Sequence, residues 1–313
     1  MRHTALFVGS FNLPAVAVMR PWLAAGHRIA AFWRGITPTM GPVRRDRRLS
    51  FVLPRWSVAA LAREHGFPVR DVPRLSAWPA AEDEVRATGA DVLVSVYFPF
   101  VVPAGILEIF GPRALNFHPA PLPRYRGPSP TQAMVLDRSI LTDAAMTLHV
   151  MTPGLDEGPI VAREPVPFPE DLCLDRYVLA LAEAAGRLAR EQLPRYLAGE
   201  LAAVPQDAAE ATYVRIAPAE LALSPELSAD EIEWRCRTFA ADRTLGIAGL
   251  DGVRVTGFAG ILGPATGRAP EIGPLSVALD IADARVRLRR KLPLARQVRR
   301  LRRFMLLART PVA

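Results

Sequence analysis

Asn116 and His118 stand two residues apart at the end of an apolar run, in ALNFHPAPLPRYRG. A strand there would present both side chains on one side of its sheet. A proline-dense loop carrying Arg124 and Arg126 follows. Further on, the apolar run AMTLHVM leads into TPGLDEG, a glycine-bracketed loop that holds Asp156 and Glu157. If the two runs are neighbouring strands, Asn116, His118 and Asp156 converge at their ends. Such a trio suits the transfer of a carbonyl carbon to an amine. A side-chain amide donates a hydrogen bond to the oxyanion of the tetrahedral intermediate. An imidazole, with its pKa near neutrality, moves protons between the attacking amine and the departing nitrogen. A carboxylate beside it favours the imidazolium and fixes its orientation. This chemistry needs no metal and no covalent nucleophile. Taken singly, the same residues have plainer readings: a lone histidine is more often structural, and Asp among glycines is an ordinary turn residue. His149, in the middle of TLHVM, reads as a packed residue behind the site, and Glu157 as a solvated one.

The elements that would position the trio follow from hydropathy. Short apolar runs at 5–9, 28–33, 68–72, 91–97, 114–118 and 145–151 predict strands, with helical patterns near 13–25, 57–65, 81–88, 103–109 and 130–137 between them. Runs such as VLVSVY are apolar on both faces, as expected of strands covered by helices on both sides. The fold class is therefore α/β: an open, mostly parallel sheet with helices on both faces. A long Ala- and Leu-rich pattern over 175–197 closes this domain at about residue 200, and 201–218 reads as a linker. Residues 219–290 hold a short helical segment, EIEWRCRTF, and then β-like runs separated by Gly and Pro, predicting a small β-barrel-like C-terminal domain. In an open parallel sheet, ligands sit beyond the carboxyl ends of the strands, where the trio falls. Gly9-Ser10-Phe11-Asn12 follows the first strand instead of G-x-G-x-x-G, and no G-x-x-x-x-G-K-[ST] occurs. Dinucleotide dehydrogenases lose their main support, and P-loop nucleotidases are excluded.

With 313 residues, half of them hydrophobic, the chain can bury a substantial core without disulfides. Cys173 and Cys236 lie far apart, form no C-x-x-C pair and fit a reducing compartment; no metal site is expected. Neither a signal-peptide pattern nor a transmembrane run is present, so the expected setting is cytoplasmic. The net charge of +8 is unevenly placed: 11 basic and no acidic residues lie from Ala284 onward, leaving the rest of the chain at −3. Residues 291–313 form a basic amphipathic tail on paper, with Leu294, Val298, Leu301 and Met305 on one stripe. That tail has three readings: a solvated helix packed on the body, a contact to RNA backbone, or a contact to an anionic surface.

The motifs together resemble the folate-dependent formyltransferase family. NFHPAPLPRYRG is similar to its N-x-H-x-S-L-L-P-x-x-R-G loop, and MTPGLDEG to its G-L-D-x-G loop. QDAAEATYVRI resembles the Q-x-x-x-x-A-T-Y-x-x-K-I element of the methionyl-tRNA formyltransferases. The resemblance implies N10-formyltetrahydrofolate as co-substrate and Asn116, His118 and Asp156 as catalytic residues. It also implies folate contacts at Phe98, Phe100, Val101, Val102 and Leu155. Arg126, together with the basic loop residues Arg44, Arg45, Arg47 and Arg48, is the candidate acceptor contact. The acceptor implied is methionyl-tRNA, with an amino sugar or other small amine as the alternative and a monomer as the expected state. A non-catalytic RNA-binding or membrane-surface protein on the same fold is the reading from another class. Several positions depart from the family pattern: Phe98-Pro99 replaces Tyr-Gly, Ala120-Pro121 replaces Ser-Leu, and the W-P-G-A stretch is missing.

Overall fold

The computed structural model describes residues 1–37, 53–171, 174–239, 245–291 and 304–310. Seven strands form the first sheet: β1 (Thr4–Gly9), β2 (Arg28–Gly35), β3 (Val69–Val72), β4 (Val92–Val96), β5 (Ala114–His118), β6 (Ala145–Val150) and β7 (Ile160–Pro165). Their order is β3-β2-β1-β4-β5-β6-β7. The first five are parallel, as the alternation of apolar runs and helical patterns predicts, whereas β6 and β7 are antiparallel.

Burial shows why the inner strands are apolar throughout. Ala5, Phe7, Val94 and Phe117 belong to one core cluster, which includes residues of α1 (Leu13–Ala24) and α6 (Leu174–Arg187). Leu6, Val8, Leu93 and Ala114 point the other way, into a second cluster with α3 (Ala81–Ala87) and α4 (Ala104–Phe110). Each fully buried Phe or Leu contributes roughly 1.5–3 kcal/mol, so both faces drive the sheet together. The remaining helices of this unit are α2 (Val58–His65) and α5 (Pro130–Leu136). Helix α1 starts where Asn12 Oδ1 accepts a hydrogen bond from the Ala15 amide at 2.8 Å, a side-chain cap on an otherwise unpaired helix N–H.

The predicted single helix over 175–197 is interrupted. After α6 the chain makes a π turn over Leu188–Gln192 before α7 (Leu193–Leu197). Pro194 lacks an N–H, and its ring would crowd the carbonyl four residues back, so the widened turn accommodates it.

Helix α8 (Ala229–Phe239) leads into a second sheet, antiparallel, built from β8 (Leu245–Ile247), β9 (Leu250–Gly263), β10 (Glu271–Ile272), β11 (Ser276–Asp280) and β12 (Arg285–Arg290). The order β10-β11-β12-β9-β8 leaves β8 and β10 at the edges. Trp234 of α8 donates its indole N–H to the Val135 carbonyl of α5 at 2.7 Å, tying the second unit to the first. The chain between the sheets is docked along its length: Val204 bridges to Ile160, Tyr213 to Arg126 and Leu223 to Ile247. Of the basic tail, only Lys291 and residues 304–310 lie within the described residues. There Leu307 is buried against Leu13, Leu53, Trp56 and Leu179, and the Arg55 guanidinium and Trp56 indole bind its carbonyl. The described end of the tail is therefore packed on the first unit.

Candidate active site

Leu115 and Phe117 of β5 point into the first core cluster, so strand alternation turns Asn116 and His118 to the opposite face, as their spacing predicts. The antiparallel pairing sets His149 of β6 directly across from Asn116 and Thr147 across from His118. Cross-strand partners share a face, which brings His149 into the site. Asp156 belongs to the loop between β6 and β7. Because β6 runs antiparallel, its carboxyl end meets the start of β5, contrary to the expectation of two strands ending side by side. The loop nevertheless places the Asp156 carboxylate between Asn116, His118 and His149.

The distances define a connected cluster. Asp156 Oδ2 lies 3.5 Å from His118 Nδ1, and Oδ1 lies 3.5 Å from Asn116 Nδ2 and 3.6 Å from His149 Nε2. Oδ2 also accepts a hydrogen bond from the Gly127 amide at 2.9 Å. His149 Nδ1 is 2.9 Å from the Val150 carbonyl; a carbonyl only accepts, so this nitrogen holds the proton. His149 Nε2 is then an acceptor, and Asn116 Nδ2 donates to it at 3.0 Å. That bond fixes which way the Asn116 amide points. By the same logic His118 Nε2–H donates to the Tyr125 carbonyl at 2.9 Å, leaving Nδ1 turned toward the Asp156 carboxylate.

Two opposed effects act on His118. Burial pushes its pKa below the usual 6.5, while Asp156 and the Tyr125 carbonyl favour the charged form and His149 opposes it; burial prevails. His118 therefore rests neutral, with an acceptor facing each of its nitrogens, ready to be stabilised when a proton arrives. For Asp156, burial alone would raise the pKa. The contacts with His149 and His118, together with the Gly127 N–H, outweigh it and bring the carboxyl down to about 2. The group is an anion at any physiological pH.

Backbone strain collects around these residues. Tyr97, Tyr125 and Asp156 adopt φ of 54°, 61° and 56°, left-handed values that cost non-glycine residues roughly 1–3 kcal/mol each. All three lie in loops at the site. The Tyr125 hydroxyl donates to Asp137 Oδ2 and accepts from the Ser139 hydroxyl, in each case at 2.7 Å, so the proline-dense loop is anchored at its tip.

The other sequence candidates are placed as follows. Phe98, Phe100, Val101 and Val102 occupy the loop after β4, beside the carboxyl end of β5. Phe98 and Phe100 pack edge to face with centroids 5.5 Å apart, Val102 is buried and Val101 is 56% exposed. The Ser10 hydroxyl holds this loop through the Tyr97 carbonyl at 2.9 Å. Leu155 is half-buried next to Asp156. The Arg126 guanidinium is turned inward, toward Gln206 Oε1 at 3.1 Å from Nε and 2.9 Å from Nη2. Arg44, Arg45, Arg47 and Arg48 lie outside the described residues. Sequence reasoning left His149 behind the site because nothing in TLHVM reveals the direction of the neighbouring strand. It quoted Gln206 as part of a motif without giving it a task.

Among the described residues, no group of three or more His, Cys, Asp or Glu side chains could hold a metal ion, and no helix is long and apolar enough to cross a membrane. Residues 60–193 match the formyl transferase family model. The chain carries a formyl transferase domain. It is 35% identical over 211 residues to the methionyl-tRNA formyltransferase of Chloroflexus aggregans, covering 67% of this chain and 65% of that protein. It is 33% identical over 213 residues to the one from Nitratidesulfovibrio vulgaris Hildenborough, covering 66% of this chain and 64% of that protein. The chain thus spans just under two thirds of the length of these relatives. Its fold matches the N-formyltransferase of Helicobacter canadensis, solved with folinic acid and dTDP-3-aminofucose, with a TM-score of 0.62 at 15% identity, covering 93% of this chain and 100% of that one. The match to the formyl transferase domain begins at residue 60, and β4, β5, β6 and β7 all fall inside it, as do all three residues of the trio.

Proposed function

We propose that this protein transfers the formyl group of N10-formyltetrahydrofolate to a primary amine, with the amino group of methionyl-tRNA as acceptor. The observation that carries this reading is the cluster of Asn116, His118 and Asp156. An oxyanion donor and a neutral imidazole each lie 3.5 Å from a fixed carboxylate, inside the formyl transferase domain. Asn116 Nδ2 gives one N–H to His149; the other faces the Asp156 carboxylate at 3.5 Å and turns to the formyl oxygen when the donor binds. His118 takes the proton that the attacking amine gives up, and the Asp156 anion stabilises the resulting imidazolium. The proton then passes to the nitrogen that loses the formyl group. Phe98, Phe100 and Val102 supply the flat apolar surface a folate ring requires, with Leu155 on the facing loop. The relatives at 33–35% identity support methionyl-tRNA as the acceptor.

The same reading carries a cytoplasmic, monomeric protein. Residues 1–200 form its catalytic unit, 201–218 the connection, 219–290 the β-rich unit and 291–313 the tail. The arginines of the tail and of the 44–48 loop supply phosphate contacts for the tRNA. The test is direct: supply N10-formyltetrahydrofolate with either charged initiator tRNA or a panel of amino sugars, and follow formyl incorporation. Formylation of the tRNA that His118→Ala abolishes is the expected result. Transfer to sugars alone would move the acceptor to a small amine. Binding of tRNA or anionic vesicles without any transfer would show a non-catalytic protein on this fold.

A further inference from the structure

Gln206 lies in the segment that connects the two sheets, and its amide is fully engaged. Nε2 donates one hydrogen bond to the Asp156 carbonyl at 2.8 Å and the other to the Gly158 carbonyl at 2.7 Å. Oε1 accepts two from Arg126, at 3.1 and 2.9 Å. One side chain thus spans both loops of the site: the 156–158 loop that carries the carboxylate, and the 119–127 loop whose Gly127 amide binds that carboxylate. The segment around Gln206 is itself pinned on either side. Val204 exchanges backbone hydrogen bonds with Ile160, at 2.8 Å in each direction. Thr212 and Val214 clasp Arg126 through its amide at 2.8 Å and its carbonyl at 2.7 Å. Asp156 needs such restraint, because it is a non-glycine residue at φ 56° and its carboxylate must sit within reach of two histidines and an asparagine. A glycine-rich loop at this strain would relax without an external hold on its carbonyl.

We propose that Gln206 is a positioning residue for the reaction. It fixes the Asp156 carboxylate through that residue's own backbone and makes the site's geometry depend jointly on the first sheet and on the segment leading to the second. This rests on the formyl-transfer reading for its kinetic consequence, but not for its structural one. Gln206 touches none of the reacting groups, so its effect passes through the placement of Asp156 relative to His118 and His149.

The test uses the full-length chain with Gln206→Met, which keeps length and volume while removing all four hydrogen bonds. Two readouts are taken: kinetics of formyl transfer, and NMR titration of the His118 imidazole in the absence of donor and acceptor. The variant is expected to lose about tenfold to a hundredfold in kcat, the scale of an ångström-level misplacement, with the acceptor KM within twofold. The His118 titration is expected to move to lower pH, because Asp156 is the charge that raises it. Arg126→Met, which leaves both Gln206 donors on the 156–158 carbonyls, is expected to lose less than Gln206→Met. If Gln206→Met does not fold, Gln206→Asn, one methylene too short to span both loops, takes its place with the same expectations. An unchanged His118 titration in a folded variant would overturn the proposal, whether activity is kept or is lost through acceptor KM. A chain inactive with every acceptor would sink the formyl-transfer reading and leave the titration result standing by itself.

Discussion

Asp156→Asn isolates the charge of the carboxylate from its shape. The side chain is 9% exposed and lies 3.5 Å from Nδ1 of His118, whose side chain is 5% exposed. Two unit charges at that separation interact by roughly 5 kcal/mol at an effective dielectric constant near 20. In the proposed mechanism this is the stabilisation the anion gives to the imidazolium that forms during proton transfer, and the neutral amide cannot give it. Each 1.36 kcal/mol is tenfold in rate, so kcat is expected to fall roughly 10³-fold. A second effect acts in the same direction. The new side chain would keep the Gly127 N–H only by turning its oxygen toward it. Its NH2 group would then face the Asn116 amide, donor against donor, and compete for His149 Nε2. The oxyanion donor would lose the bond that orients it. Single-turnover formyl transfer at saturating donor separates the chemical step from binding, and the folded fraction is checked by thermal unfolding. A variant within threefold of the parent kcat would refute the claim that the carboxylate stabilises charge on His118.

Three further outcomes follow from the same geometry. The Asp156 carboxyl is held at about 2 in the folded chain against about 3.9 when unfolded. Its contribution is therefore complete above about pH 5, is lost as pH falls through about 2, and amounts to roughly 2.6 kcal/mol; urea unfolding at pH 5 and 2.5 should show most of this loss in the parent but not in Asp156→Asn. Gly127→Ala would force a side chain onto a residue at φ 105° and put its Cβ 2.6 Å from the Val214 carbonyl; we expect a loss of at least about 1 kcal/mol from the backbone alone, plus a drop in kcat as the Gly127 N–H leaves Asp156, read by urea midpoint and turnover. Leu307→Ala would empty a contact that is 3% exposed, at a cost of about 2 kcal/mol, and hydrogen exchange of the Trp56 indole N–H, now bound to the Leu307 carbonyl at 3.2 Å, should quicken; unchanged exchange would mean that the terminal helix does not dock there.

Much of this was legible in the sequence, for identifiable reasons. The parallel strands announce themselves because helices cover both faces, so runs such as VLVSV have no polar side. Asn116 and His118 stand out because two polar groups interrupt an apolar strand at the spacing that shares a face. Strand direction was not legible. Every residue of β6 is buried, so its run reads the same whichever way it lies. The edge strand β7, with Arg163 and Glu164 half-exposed or exposed, was missed as a strand altogether. That error hid His149, whose place opposite Asn116 depends on the antiparallel register. Gln206 was quoted only as part of a motif because it lies in polar, aperiodic QDAAEATY, where hydropathy carries no signal. Its role follows only from what the segment touches.

The strained residues of the site share a feature that no single loop could supply. Tyr97, Tyr125 and Asp156 each have a backbone group bound by a side chain from a different part of the chain. Ser10 Oγ binds the Tyr97 carbonyl at 2.9 Å, Thr212 Oγ1 accepts from the Tyr125 amide at 2.8 Å, and Gln206 Nε2 binds the Asp156 carbonyl at 2.8 Å. Local preference would let each of these residues relax, since left-handed backbone is unfavourable for a side chain bearing a Cβ. Tertiary contacts hold them instead. Two of the three contacts come from residues 206–212, which follow the formyl transferase domain and lead to the second sheet. The matched domain supplies all three groups of the trio, but the side chains that hold its strained loops come from outside it. On the proposed reading, a change in that segment alters catalysis without touching any of the three residues, and the segment belongs to the candidate site.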